Sequence, residues 1–572
     1  MIDVRILIRS GEMRAQRVVR GDDVSQHTAR RGRRGAWWGA ALVGVVSLMV
    51  APMATGASTG SGIHLVSTTP AAKGTLSSIT WDLPGGEPTT LDYVKSADYS
   101  PDIMVSNLCD DLLRLTPTFR IAPGIATSWK YTSPTTVVFQ IRHGVTFWDG
   151  HPLTAADVAY SMLRNLNPKD SPVNGAYYGS VKSIVASAPY EVTVTLSKPD
   201  ELFVKEMATI SGAIAEKAYM AKAGATFGTA AGGVMCSGPY ELTKWNAGND
   251  IVLTANPHYW DPAYRAKIHT ITVKFINNSS TLTSALLSGQ IAGAYGVPAT
   301  SYPELRTASS GTLYFGPSLS ITELAPTSTS GPIANVKIRE ALSLALDRSA
   351  IAKVVYGGAA TPNLALTPPT AWDPSATSIY RAAYAKLGPS SPQIAQASAL
   401  VKSVPNHGAP ITLALLSGDQ TELALATAVQ QAGASIGLNI KLDEMQPLAF
   451  SNAFFVASYR KGVDMLIDEG YLDVPDPLDY LGLWFPKGAL FDYTNYNNAT
   501  VNADLAKAQQ TYDAAKRATL ITAAQSIYMA DKVVIPVVNP DQSLFLNKSI
   551  TGAPASFAYI YEPCLAKLGA AK

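Results

Sequence analysis

Between Ile411 and Leu442 two short apolar runs flank a helical stretch, and this feature most narrows what the chain can become. Ile411 to Leu415 reads as a strand, 421 to 435 as a helix, Gly437 as its stop and Leu438 to Leu442 as a second strand. A strand, helix, strand run of this kind is a crossover, and crossovers join parallel strands. The region around it is therefore an α/β domain in its own right. Helices at 501 to 509 and 513 to 530 and a strand at 533 to 538 close it. Asn335 caps a helix expected to run to Tyr356, with Ile338, Leu342, Ala345, Ile351 and Val355 near helical spacing and Gly357-Gly358 as the stop.

At 572 residues the chain exceeds the size of one hydrophobic core, so two or three domains are expected. Met235 to Phe275 reads as a sheet edge built in sequence order: Tyr240, Leu242 and Lys244, a turn at Asn246 to Asn249, Ile251 and Leu253 returning, then Ile271, Val273 and Phe275. Ser237-Gly238-Pro239 swings the chain into it, back to a first lobe after an excursion. That lobe begins with a strand at Ile79 to Leu83 and a helix expected over 103 to 114, with Ile103, Leu108 and Leu112 on one face. Within the excursion, Thr136 to Ile141 and 189 to 196 alternate as strands, and Thr154 with Asp157 caps a helix bearing Val158, Met162 and Leu166. A helix at Thr281 to Gly289 follows, and a Ser, Thr and Pro cluster at 298 to 310 reads as the crossing into the second lobe.

Arg30-Arg31-Gly-Arg33-Arg34 precedes an 18-residue apolar stretch, Ala36 to Met53, which is the pattern of an export signal; an uncleaved anchor is the alternative. Without that arginine-rich start the net charge of +2 falls below zero, and nothing favours a nucleic-acid partner. Of three cysteines in an exported chain, Cys109 and Cys236 flank the junction of the first lobe with its excursion and are expected to pair; two buried thiols would be the alternative, and Cys564 is left over. Cys109 is the first of the three, so no lipid-anchor cysteine follows the signal. The histidines are scattered and offer no metal-ligand spacing.

Three words in order, Cys236-Ser-Gly-Pro-Tyr240, Lys244-Trp245 and Asn256-Pro-His-Tyr259-Trp260, resemble the signature of the family 5 solute-binding proteins that feed peptide and nickel ABC importers. Arg142-His-Gly-Val-Thr-Phe-Trp-Asp-Gly-His-Pro-Leu-Thr-Ala-Ala-Asp-Val158 is similar to that family almost letter for letter, and Ile338 to Ile351 resembles a third motif. The resemblance implies a two-lobed, periplasmic-binding-protein-like α/β fold of type II, cluster C, with an extra subdomain in the first lobe. On it the chain divides into an export signal (1–57), a linker (58–75), a first lobe (76–111, 232–317 and 540–572), its extra subdomain (112–231) and a second lobe (318–539).

Asp464, Asp468, Glu469, Asp473, Asp476 and Asp479 crowd into one stretch, and a run of acids is commonly a solvated face. Asp476-Pro477 explains itself as an N-cap followed by Pro at N1. Asp473, just past a strand end, resembles the aspartate with which peptide-binding members hold a ligand's α-amino group. Glu87, Pro88 and Thr89 in the loop after the first strand, with Ser211, Gly470, Tyr471 and Trp484, are expected to line the cleft. Residues 417 to 422 lack the arginine that dipeptide-specific members carry, so a longer peptide or another solute fits better. The resemblance thus implies a monomeric, non-enzymatic receptor, free of cofactor and catalytic residues, that passes peptides to a membrane permease and its ATPase. No phosphate-binding loop occurs in the chain itself. A nickel-chelate binder, a peptide sensor and, last, an exported glycoside hydrolase are the other readings.

Overall fold

Two sheets built from interleaved parts of the chain carry the fold. The computed structural model describes residues 63–572 apart from Ala97, Pro168, Pro172 and Val173. The expected export signal and the start of the linker, 58–62, lie outside the described residues. The first sheet has seven strands in the order Tyr240–Asn246, Asp250–Ala255, Ile268–Lys274, Leu76–Asp82, Gly293–Tyr295, Gln542–Asn547 and Gly311–Gly316. Its edge hairpin is the one read from alternation, with a bulge between Leu242 and Lys244. The second sheet has six, in the order Ala360–Pro362, Ile535–Pro540, Ser320–Pro326, Met465–Tyr471, Pro410–Leu416 and Asn439–Met445. The crossover strands Pro410–Leu416 and Asn439–Met445 lie side by side and parallel, joined by the helix Gln420–Ser435.

The chain passes between these sheets twice: at Pro317-Ser318-Leu319, and at Asp541 alone. The Ser, Thr and Pro cluster read as the first crossing comes too early. Residues 299–306 are helical there, and Gly311–Gly316 still pairs with Gln542–Asn547 in the first sheet.

The excursion forms a four-stranded antiparallel sheet, Ala126–Ser133, Thr136–Ile141, Glu191–Leu196 and Val181–Ala188, with the helix Ala155–Arg164 beside it. Asp157 accepts from the Thr154 amide at 3.0 Å, closing the capping box. A disulfide joins Cys109 to Cys236 where the chain leaves for this subdomain and returns, with Cα atoms 4.8 Å apart. The subdomain also touches the second lobe: Glu201 N donates to Gln509 O at 2.9 Å, Tyr512 Oη to Pro134 O at 2.9 Å, and Lys205 Nζ to Asp476 at 2.8 Å.

Two helices differ from their periodicity. The first covers Tyr99–Leu108, not 103 to 114. Cys109 turns extended, Asp110 and Asp111 pair with Ile214 and Ala213, and Gly238 N takes the Leu108 carbonyl at 2.9 Å, so long-range partners replace the last helical turns. The expected 335 to 356 helix is two, Val336–Ala345 and Arg348–Val354. Leu346 is extended, and Asp347 starts the second helix by accepting from Ala350 N at 2.9 Å. The break lets the buried Arg348 donate to Ser343 O and Pro536 O.

Candidate ligand-binding site

In both sheets the C-terminal ends of parallel strands open onto one crevice, the position where α/β sheets bind ligands. Leu76–Asp82 runs parallel to Gly293–Tyr295, and the turns beyond them bring Pro84 and Gly85, and Gly296 to Ala299, to its wall. Across from them, Pro410–Leu416 runs parallel to Met465–Tyr471 and delivers Asp419, Thr421 and Glu422 on one side, Glu469 to Tyr471 and Asp473 on the other. Together they enclose about 520 Å³.

Asp473 sits at a three-way junction. Tyr177, from the subdomain, donates to its Oδ2 at 2.8 Å, and Tyr561, from the returning C-terminal segment, donates to its Oδ1. The Tyr177 oxygen is also 2.8 Å from Oδ1 of Asp479. A phenol has one proton to give, so the second contact requires a proton on the other side. Burial and the neighbouring Asp473 raise Asp479 well above the usual carboxylate range. Its other oxygen is occupied by the amides of Asp473, at 2.5 Å, and Val474, at 3.3 Å. The relay is therefore Asp479 to Tyr177 to Asp473, leaving Asp473 as the member that carries charge. Burial raises Asp473 too, but the hydroxyls of Tyr561 and Tyr177 offset part of that.

Gly470 and Tyr471 line the cavity. A Cβ on Gly470 would come within 2.1 Å of the Tyr480 hydroxyl, which donates to Glu323 at 2.9 Å and lies 3.3 Å from Asp468. Tyr471 packs against Tyr99 of the opposite lobe, with ring centroids 4.7 Å apart and planes tilted by 58°.

The other residues expected to line the cleft lie elsewhere. Glu87 accepts from the Trp245 indole at 2.7 Å and from Gly248 N, so it closes the edge hairpin's turn. Pro88 is buried and Thr89 exposed, both off the cavity wall. Ser211 is buried behind Tyr178, whose hydroxyl donates to its carbonyl at 2.6 Å. Trp484 packs against Tyr480, Phe491 and Tyr493 in the core beneath the wall. Asp476 caps its helix through Leu478 N at 3.0 Å and pairs with Arg517 and Lys205. Burial alone would raise its carboxyl, but the two cations outweigh this and hold it far below the usual range.

Sequence reasoning missed Tyr177 and Tyr561, which lie 296 and 88 residues from Asp473 and belong to no motif. It also missed the wall acids Asp98, Asp102, Asp419, Glu422 and Asp541.

The model of bacterial extracellular solute-binding proteins, family 5 Middle, matches residues 120–492. The chain belongs to this family. Glutathione-binding protein GsiB of Escherichia coli K12 is 27% identical to this family 5 protein over 478 residues, 82% of this chain and 90% of the relative. The periplasmic binding protein DppA from Helicobacter pylori, in complex with the peptide STSA, superposes with a TM-score of 0.76 at 22% identity, over 87% of this chain and 99% of that one. The oligopeptide-binding protein AppA of Bacillus subtilis, in complex with a nonapeptide, gives 0.75 at 20% identity, over 87% and 100%. Both likenesses place the two-lobed α/β architecture of this family 5 protein among periplasmic binding proteins.

Proposed function

We propose that this solute-binding protein captures peptides outside the cytoplasmic membrane and delivers them, unaltered, to an ABC permease and its ATPase. The observation that carries the reading is Asp473, a carboxylate in an interlobar cavity whose two oxygens are each oriented by a tyrosine from the other lobe. A free α-ammonium is the complementary group, and a cavity of about 520 Å³ lies in the range that ligand pockets occupy. The ligands of GsiB, DppA and AppA, which are glutathione, the peptide STSA and a nonapeptide, support a peptide. The crossings at Pro317 to Leu319 and at Asp541 are short enough to act as the hinge. We read the region before residue 58 as the export signal and the working protein as a monomer that meets the membrane through the permease.

Native mass spectrometry of the purified protein with a peptide pool, followed by the best hit with its amino group acetylated, tests this. A recovered peptide of unchanged mass, lost on acetylation and in Asp473→Asn, is the expected result. A ligand that leaves chemically altered, or binding indifferent to acetylation, overturns it.

A further inference from the structure

The wall of the cavity is charged with one sign only. Asp98, Asp102 and Asp473 lie at one end, Asp419, Glu422, Asp468 and Glu469 at the other, and Asp541 at the crossing; no Lys, Arg or His is among the described residues that line it. Away from the cavity some buried acids pair with cations, Asp92 with Arg164, Asp110 with Arg114, Asp476 with Arg517 and Lys205, while others, such as Asp82, Asp200 and Glu562, stand singly. Among the described residues no ion pair reaches any of the eight wall acids. Behind Asp473 the imbalance deepens. Glu206 is fully buried with neither carboxylate oxygen hydrogen-bonded, and one of its oxygens lies within 4.8 Å of an oxygen of Asp473 and an oxygen of Asp479. Unpaired carboxylates in a closed space repel one another and lose hydration, so the arrangement is stable only with protons on it or with a cation inside.

The two ends are separate. Glu469 and Asp473 are four residues apart on an extended segment, which spans up to about 13 Å. Glu469 lines the cavity next to Asp419, which the helix Gln420–Ser435 uses as its N-cap. The lining also includes the aromatic rings of Tyr99, Tyr356, Phe450 and Phe454, surfaces that attract cations rather than anions.

Resting on the peptide reading above, we infer that the ligand carries a second positive charge besides its α-ammonium, seated among Asp419, Glu422 and Glu469, so that peptides with a lysine or arginine side chain are selected. Burial pushes Asp468 up to about 7, and burial with the neighbouring Asp419 and Asp468 pushes Glu469 up to about 8, as expected where no cation is supplied by the protein. An acidic side chain would find no partner on this wall.

Titration calorimetry on the full chain in metal-free buffer tests this, using alanine tetrapeptides with lysine, its neutral isostere norleucine, or glutamate at positions two to four. The best lysine peptide is expected to bind at least about tenfold tighter than its norleucine counterpart, and the glutamate peptides weakest. Glu469→Gln should shrink the ratio of lysine to norleucine affinity toward one. Asp419→Asn, which keeps a good helix cap, repeats the test without threatening the fold. Norleucine or glutamate peptides that match lysine at every position overturn the inference and leave the peptide reading standing. Binding of spermidine with no peptide bound supports the demand for cations and overturns the peptide reading instead.

Discussion

Tyr177 and Asp473, 296 residues apart and on opposite sides of the cavity, meet through a hydrogen bond of 2.8 Å. With Tyr561 on the other carboxylate oxygen, this contact joins the subdomain, the C-terminal segment and the second lobe at one atom group. Hinge opening must break both bonds. Tyr177→Phe and Tyr561→Phe should each weaken ligand binding about two- to tenfold, the worth of one hydrogen bond. The double variant should show a larger radius of gyration by small-angle scattering with ligand present. Unchanged affinity and scattering would mean the tyrosines do not report closure.

The Cys109–Cys236 disulfide spans 127 residues and closes the loop that contains the whole four-stranded subdomain. Constraining a loop of that length in the unfolded chain is worth up to about 5 kcal/mol, more commonly 2 to 4. Cys109→Ser with Cys236→Ser should lower the urea midpoint correspondingly. Because the bond sits where the chain leaves and rejoins the first lobe, proteolysis under native conditions should then cut within 110 to 235 first.

How legible this was depended on the range of the interactions. Alternation and caps report on neighbours, so the edge hairpin, the capping box at Thr154 and Asp157, the parallel crossover and the Asp476 cap could all be read locally. The helix ends at Cys109 and Leu346 could not, because a disulfide, a two-residue strand pair and the burial of Arg348 decide them from afar. The same holds at the site. Asp473, Gly470 and Tyr471 stand on a strand end that the sequence marks, whereas Tyr177 and Tyr561 are ordinary tyrosines until the fold places them. Glu87 shows the converse: a polar loop residue at a strand end, taken up by the turn of a neighbouring hairpin.

Asp476 is fully buried between Arg517 and Lys205, the second at 2.8 Å. Its carboxyl titrates below the unfolded value of about 4, so the stability it contributes is present above pH 4 and lost as pH falls further. Asp476→Asn leaves Arg517 buried without a counter-charge and should cost about 3 to 5 kcal/mol in urea titrations at pH 7. Below pH 4 the gap between variant and parent should begin to narrow, and go on narrowing as pH falls; a constant gap would mean the loss is the helix cap alone.

Asp82 has the opposite sign. It ends a central strand with 1% of its surface exposed, accepts from Ile276 N at 3.0 Å, and burial pushes its carboxyl up to about 7. A raised carboxyl contributes stability that is complete below the unfolded value near 4 and disappears as pH rises through 7. Three pH units correspond to at most about 4 kcal/mol. Asp82→Asn keeps an acceptor for Ile276 and is neutral at every pH, so it should flatten the fall in unfolding free energy between about pH 4 and pH 7. Equal slopes in the two proteins would show that Asp82 ionises as freely in the folded chain as in the unfolded one.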